Sequence, residues 1–466
     1  MDGTGDFSAK ERHTVLLACC IGGFLAPLIT TMINLAVPVI SIDFGISAHD
    51  QGWLIMSYFL SSVAFMIPMS RLSDLYGKKR MFMIGILIVI AGSLMSALSP
   101  TFIVLLIWRV ITGIGTACIS STSISMIAQV YPKASRGLPF AMNTMCIYIG
   151  ASLGPVLGGI ITEVLGWEYI FLSVIPFSIA ALFAMLLFKK DFRTAEGEPF
   201  DLKGSLLYGI GIVVLMYGVL TVPEITSAAF IAAGTVLMIA FFIFETREDH
   251  PVLMVGLFRE KVFRRSTMAA FLNYGSSYAV VFTMSLYLQN IGMYAPGAAG
   301  LIILVQPAIQ AVVTPFAGRM SDKTDPRFLT TAGMLMMLSS TALMATLTVE
   351  VEMIKIYMIL IMTGIGYGLF SSPNTNLVMG SVTQKSYSES SGVIAVMRQV
   401  GMMVSVAIIM CMIAFTMGTD TNIPSMTNEF ISAIRYAFTV CCGLAVIGAF
   451  MAWFSKGTAG TEGAGN

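Results

Sequence analysis

The sequence predicts an all-α polytopic membrane protein with about fourteen transmembrane helices. Three observations carry that reading. Of the 466 residues, 56% are hydrophobic and 11% charged. The apolar residues fall in continuous runs long enough to cross a bilayer, and lysine and arginine sort to one side of those runs. A soluble globular chain uses roughly 25% charged residues, so this one lacks the charge to cover itself in water. The runs are continuous rather than alternating, which excludes a membrane β-barrel. Backbone groups in hydrocarbon must be satisfied within each segment, so each run is a helix.

The first six runs occupy 14–40, 51–69, 81–98, 101–128, 138–165 and 167–188. A charged stretch, KKDFRTAEGEPFDLK, precedes two more at 204–222 and 227–244. The polar stretch Glu245 to Arg265 follows, and then runs at 266–290, 298–317, 328–348, 353–379, 391–416 and 431–454. An even number of runs puts both termini on one side. With that side as the cytoplasm, every Lys and Arg falls inside, except Lys355 and Arg435 near outer ends and Arg109 and Arg398 within helices. This is the positive-inside pattern, and dropping one run would scramble it downstream. Trp53, Trp167 and Trp453 fall at predicted helix ends, where amphipathic rings favour the interface, and Trp108 lies slightly deeper. The stretch HPVLMVGLFREKVFRR, 250–265, reads as an amphipathic segment on the cytoplasmic surface.

Other classes fall away. The net charge of +1 gives no bulk field for nucleic acid. The seven cysteines lie inside apolar runs without metal-site spacing, so they read as small packing residues and no metal or other cofactor is expected. The N-terminus is polar and mixed in charge, and the first apolar run is too long for a signal-peptide core.

The chain repeats itself. Ser70-Arg71-Leu72-Ser73-Asp74 follows the second run and Gly318-Arg319-Met320-Ser321-Asp322 follows the tenth, both at an outside-to-inside helix end. The expected organisation is an N-terminal six-helix half over 1–190, two inserted helices with a flanking cytoplasmic loop over 191–250, and the amphipathic segment with a C-terminal six-helix half over 251–466. Duplicated halves around a central site are a transporter design.

Three strings carry chemistry. The loop 70–80 reads SRLSDLYGKKR, placing Asp74 beside Arg71, Lys78 and Lys79 at a helix end. That suits a charge-assisted latch, and Gly77 suits a tight turn. With Arg319 and Asp322 of the second copy, these are the candidate gating residues. In the fourth run, Arg109 stands about 8 residues from the helix start, roughly 12 Å at 1.5 Å per residue. An arginine in hydrocarbon costs roughly 2.5–3.5 kcal/mol and marks a pathway or a buried partner. The fifth run carries Gly150, Gly154, Pro155, Gly158 and Gly159. Small residues at four-residue spacing let helices approach closely, and Pro155 kinks the helix.

Together these strings resemble the major facilitator superfamily. The 70–80 loop is similar to its G-x-L-a-D-r-x-G-r-r pattern at Asp74, Gly77, Lys78 and Lys79, with Ser70 for the first glycine and Leu75 for the usual arginine. The string Trp108 to Gly115 resembles the family's R-x-x-x-G-x-G signature in helix four, and Gly150 to Gly159 its complete antiporter motif, G-x-x-x-G-P-x-x-G-G. Gly166-Trp167-Glu168-Tyr169-Ile170-Phe171 resembles G-W-R-W-I-F at the start of helix six. Pro373-Asn374-Thr375-Asn376 and Met397-Arg398-Gln399-Val400-Gly401 resemble patterns of the fourteen-spanner drug:proton antiporter branch, the multidrug efflux type. The resemblance covers essentially the whole chain. It implies the major-facilitator fold, with two six-helix halves and two inserted central helices, working as a monomer in the cell membrane with both termini cytoplasmic. It also implies small-molecule export by alternating access, with protons as the candidate coupling ion.

One departure is sharp. The branch carries an acid in helix one, in a string like L-D-T-T-I-V-N-V-A-L-P, and here Leu28-Ile29-Thr30-Thr31-Met32-Ile33-Asn34-Leu35-Ala36-Val37-Pro38 has Ile29 at that place. No Asp or Glu falls near a predicted helix centre. Asp43, Asp50 and Glu163, near outer ends, are the remaining coupling candidates. The expected pathway is lined by Asn34, Tyr58, Asn143, Asn273, Tyr274, Gln306, Gln310, Asn374 and Asn376, with Arg109 and Arg398. Two arginines without a midplane acid favour a neutral or anionic amphipathic substrate, and the 35 methionines suit adaptable apolar walls. An ATP-driven pump is disfavoured, since Gly77-Lys78 is followed by Lys79 rather than Ser or Thr. No nucleophile, base or metal cluster suggests an enzyme. The expectation is a secondary transporter exporting small amphipathic compounds. An uncoupled metabolite or lipid-like solute exporter, or a transporter-derived sensor, is the alternative.

Overall fold

Each predicted run is helical. The computed structural model describes residues 7–47, 50–131, 137–191, 193, 197–222, 226–248, 251–253, 255–321, 324–382, 387–418 and 426–455. In chain order the helices are α1 (Ala9–Phe44), α2 (Gln51–Tyr76), α3 (Lys78–Ala97), α4 (Phe102–Val130), α5 (Gly137–Val164), α6 (Glu168–Leu172), α7 (Val174–Leu187), α8 (Leu202–Leu220), α9 (Ser227–Glu245), α10 (Lys261–Ser277), α11 (Ala279–Asn290), α12 (Pro296–Ile303), α13 (Val305–Ser321), α14 (Pro326–Met344), α15 (Met353–Gly380), α16 (Tyr387–Met417) and α17 (Thr427–Trp453). Among the described residues, 12 helical spans are long and apolar enough to cross a membrane, with α6–α7 and α12–α13 each counting as one. The other two expected runs are helical but more polar. Lys261, Arg264 and Arg265 open α10, which passes into α11 at Tyr278. Arg327, Thr330, Thr331, Ser339, Ser340 and Thr341 dilute α14.

Local chemistry sets the ends. Ser8 caps α1 in a capping box: its hydroxyl accepts the Glu11 N–H at 3.3 Å, and Glu11 accepts the Ser8 N–H at 2.8 Å. At the other end Gly45 turns left-handed and donates to Ile42 and Ser41 carbonyls. The expected surface segment at 250–265 takes a different form. A 3₁₀ turn, Val255–Arg259, precedes α10, so the basic residues from Lys261 onward form the first turns of that helix.

The chain divides into two compact units. The first comprises Met1–Gly218, Thr226–Val252 and Tyr294–Leu301, and the second Val219–Ile225, Leu253–Met293 and Ile302–Asn466. In the first, α1 packs on α5, and α4 lies against both α2 and α3. In the second, α10 packs on α16 and α17, and α15 lies against α13 and α14. The inserted helices belong to the first unit. The Tyr208 hydroxyl of α8 donates to the Val63 carbonyl of α2 at 2.9 Å, and Tyr217 meets Trp53 at 6.0 Å between ring centroids. At the start of α8, Asp201 caps the Gly204 N–H at 2.8 Å, and Glu245 at the end of α9 reaches the same glycine. Both carboxylates thus lie at the helix end where the macrodipole favours negative charge.

Candidate functional site

In the first unit, Arg109 is buried at 1% exposure. Its Nε donates to the Leu54 carbonyl of α2 at 3.0 Å, and its guanidinium sits 4.7 Å from the Tyr58 ring centroid. Gly113, one turn on, makes this possible. A Cβ there would fall 2.5 Å from the Tyr58 carbonyl, so only glycine lets α2 come this close. A desolvated cation–π contact is worth about 2 kcal/mol, which offsets much of the roughly 2.5–3.5 kcal/mol cost of placing the arginine in hydrocarbon. Asn34 is buried in α1, and Asn143 of α5 lies over Gly23 of α1, its Oδ1 2.8 Å from where a Cβ would stand.

The second unit contains a parallel but looser group. Arg398 of α16 lies 6.0 Å from the Tyr274 ring of α10, and Tyr274 packs on Tyr367 of α15 at 5.2 Å. Ser277 donates to the Tyr367 hydroxyl at 2.9 Å, and Met337 and Met402 pack around the pair. The other expected pathway residues take separate places. Asn273 points into a core, its Nδ2 3.1 Å from Met334 Sδ. Gln306 donates to Gln310 at 3.0 Å along α13. Asn374 is buried, and Asn376 donates to Ser321 at 2.6 Å.

The glycines of α5 make two adjacent faces. On one, Gly150 meets the Phe24 carbonyl, Gly154 the Thr31 side chain and Gly158 the Met32 backbone, so α1 lies directly on α5. On the other, the Pro155 carbonyl meets Gly300 and Gly159 meets Pro296, both in the α12 segment grouped with this unit. Glu163 completes that face by accepting the Gly297 N–H at 2.9 Å. Of the other two outer acids, Asp43 accepts from Trp167 Nε1 at 2.6 Å and Asp50 from Ser47 at 2.8 Å. Every Asp and Glu within a described helix stands in its first or last turn.

The loop 70–80 forms the expected latch only in part. Asp74 pairs with Lys78 across Gly77. The remaining cations turn to residues after α7: Arg71 pairs with Glu198 at 2.6 Å, the Lys79 N–H donates to Asp191 at 3.0 Å, and Lys79 Nζ donates to the Phe188 carbonyl. In the second copy Arg319 is exposed, and Asp322 lies outside the described residues.

Sequence reasoning missed Tyr367, Ser277, Asp191, Glu198 and Thr31. Tyr367 had a signal, since it stands among Gly364, Gly366 and Gly368, a stripe that brings a bulky ring close to neighbouring backbones. Asp191 and Glu198 had none, because ion pairs between distant segments leave no periodic trace.

The family model for the Major Facilitator Superfamily matches residues 19–406 and 268–464. The riboflavin transporter RibZ of Clostridioides difficile is 26% identical over 449 residues, covering 96% of this chain and 98% of its own. The multidrug resistance protein Stp of Mycobacterium tuberculosis is 27% identical over 409 residues, covering 86% and 75%. Among solved structures, a bacterial homolog of the human lysosomal transporter Spinster, in an inward-facing and unoccupied conformation, superposes with a TM-score of 0.67 at 19% identity, covering 96% of this chain and 98% of that one.

Proposed function

The chain belongs to the Major Facilitator Superfamily, and on that premise we propose that it exports small amphipathic compounds, neutral or anionic, across the cell membrane by alternating access, as a member of the fourteen-spanner multidrug efflux branch with both termini in the cytoplasm. The observation that carries this reading is the pair of arginines within spans, each against a tyrosine ring, in a chain whose helical acids all stand at helix ends. A cation entering such a pathway meets like charge and no carboxylate partner. An anion or a neutral ring system meets a guanidinium and an aromatic face. The complete antiporter stripe on α5 supports export, and Stp carries a multidrug resistance name. Glu163 is the outer acid that supports ion coupling best, because it ties α5 to α12.

A second reading is an exporter or facilitator of one flat metabolite, without proton coupling. The Tyr274–Tyr367 pair with Arg398 favours it, and so does the name of RibZ.

The test is uptake into everted membrane vesicles of a panel of cationic, neutral and anionic amphiphiles, with and without an imposed proton gradient. Gradient-stimulated uptake of neutral and anionic members supports the first reading. Gradient-independent movement of a single flat compound supports the second, and gradient-driven uptake of cations alone sinks both.

A further inference from the structure

Three cations, Lys78, Lys79 and Arg80, open α3. This is the end of a helix where the macrodipole repels positive charge. The N-cap position is Gly77, which brings no side chain to the first free amides. Its φ of 112° and ψ of 128° suit glycine alone. The missing cap arrives from elsewhere in the chain. Asp191 Oδ1 accepts the Lys79 N–H at 3.0 Å, and the Asp191 carboxyl occupies the space where a Cβ on Gly77 would stand. Gly77 thus serves twice, by adopting the turn and by admitting the carboxylate. Arg80 Nε lies 3.9 Å from the other Asp191 oxygen.

Two further ties reach the 70–80 loop. Glu198 holds Arg71 in the last turns of α2, and the Phe188 carbonyl accepts from Lys79 Nζ. A lone surface ion pair contributes about 0–1 kcal/mol. Here a charged acceptor on a backbone amide and a lysine–carbonyl bond act on the start of α3, an arginine–carboxylate pair acts on the end of α2, and the Arg71 side chain is only 17% exposed. Lys190, next to Asp191, is itself held by Glu11 at 3.3 Å and stacks over Phe7 at 4.8 Å. The chain beside Asp191 is therefore tied in turn to the start of α1.

We propose that Asp191 and Glu198 are positioning residues for the 70–80 loop. Asp191 caps α3 from outside the helix and Glu198 holds Arg71, and the two together set whether the junction of α2 and α3 is ordered on the cytoplasmic side. The effect on flux rests on the transport reading above, whereas the ordering of the junction does not.

The experiment is hydrogen exchange at the amides of residues 78–81 in the full chain in lipid vesicles, with flux measured on the same preparations. Asp191→Ala raises exchange about tenfold, the factor for losing one charge-assisted hydrogen bond of about 1.5 kcal/mol. Asp191→Asn keeps an acceptor and raises it less. Arg71→Glu and Glu198→Arg each raise exchange, and the double variant restores it. Maximal flux follows the same order while KM stays unchanged. Unchanged exchange in Asp191→Ala, or a double variant no better than its singles, overturns the proposal. Because exchange is read without substrate, a preparation that moves none of the compounds tested refutes the export reading and leaves the clasp to be judged on exchange alone.

Discussion

In the first half, a Cβ on Gly85 of α3 would lie 2.7 Å from the Gly115 carbonyl of α4. In the second, one on Gly333 of α14 would lie 2.8 Å from the Gly366 carbonyl of α15. Gly113 faces the Tyr58 carbonyl as Gly364 faces that of Gln306, and Gly150 faces Phe24 as Gly401 faces Phe271. These pairs lie at nearly the sequence offset that separates Asp74 from Asp322, so the two units share the same kind of close backbone contact. The match stops one turn further along α5 and α16. Gly154 presents no side chain to Thr31 of α1. At the equivalent place Ser405 accepts the Ala279 N–H at 2.9 Å, where α10 gives way to α11. In the first unit α1 rests on the glycine face of α5 by close backbone packing. The second spends a hydroxyl on the amide freed by a break in its helix. Glycine contacts rely on packing alone, whereas a buried hydrogen bond fixes register.

Substitutions at these contacts should separate the two units by the size of their effects. Gly158→Val places branched carbon on the Met32 backbone, which cannot yield as a flexible side chain would. It should prevent stable assembly, seen as loss of the monodisperse peak after detergent extraction, whereas Gly443→Val, which meets nothing within 4 Å, should extract normally. Arg109→Ala should reduce flux to background and lower thermal stability by well under the roughly 2 kcal/mol of the cation–π contact, because the cost of holding the charge in hydrocarbon is relieved at the same time. Arg398→Ala, at a half-buried site and a longer cation–π distance, should lower stability by less and change substrate preference more, as read from relative uptake of anionic and neutral compounds. Ser405→Ala strands the Ala279 N–H and should destabilise by about 1–2 kcal/mol in a steric-trapping or thermal assay, and Gly154→Ser should lower maximal flux by restricting α1. Tyr367→Phe should be mildest, about 0.6 kcal/mol, the typical worth of an interhelical hydrogen bond in a membrane.

The differences between the halves also mark how far the sequence could be read. The helical runs follow from hydrocarbon thickness, a one-dimensional constraint that continuous apolar stretches make legible. Arg109 stood out because charge in hydrocarbon is costly. The α5 stripe stood out because glycine with Gly-Pro at fixed spacing is rare by chance. What stayed hidden depends on which surfaces meet. Tyr274 and Arg398 were each visible, but their grouping with Tyr367 depends on how α10, α15 and α16 pack. Asn273 read as a pathway residue by its type, and in three dimensions its amide reaches a methionine in a core. The expected Asp74 latch forms with Lys78 alone, and Asp191 and Glu198 went unseen, since nothing in a charged stretch says which carboxylate folds back.

Charge selection in the pathway is tested by one ring system carried as an anion and as a cation. Initial uptake into everted vesicles is measured for both forms in the wild type and in Arg398→Ala. The anion should move faster in the wild type, and the preference should narrow in the variant. A wild type that moves the cation faster, with Arg398→Ala unchanged, would contradict that charge selection.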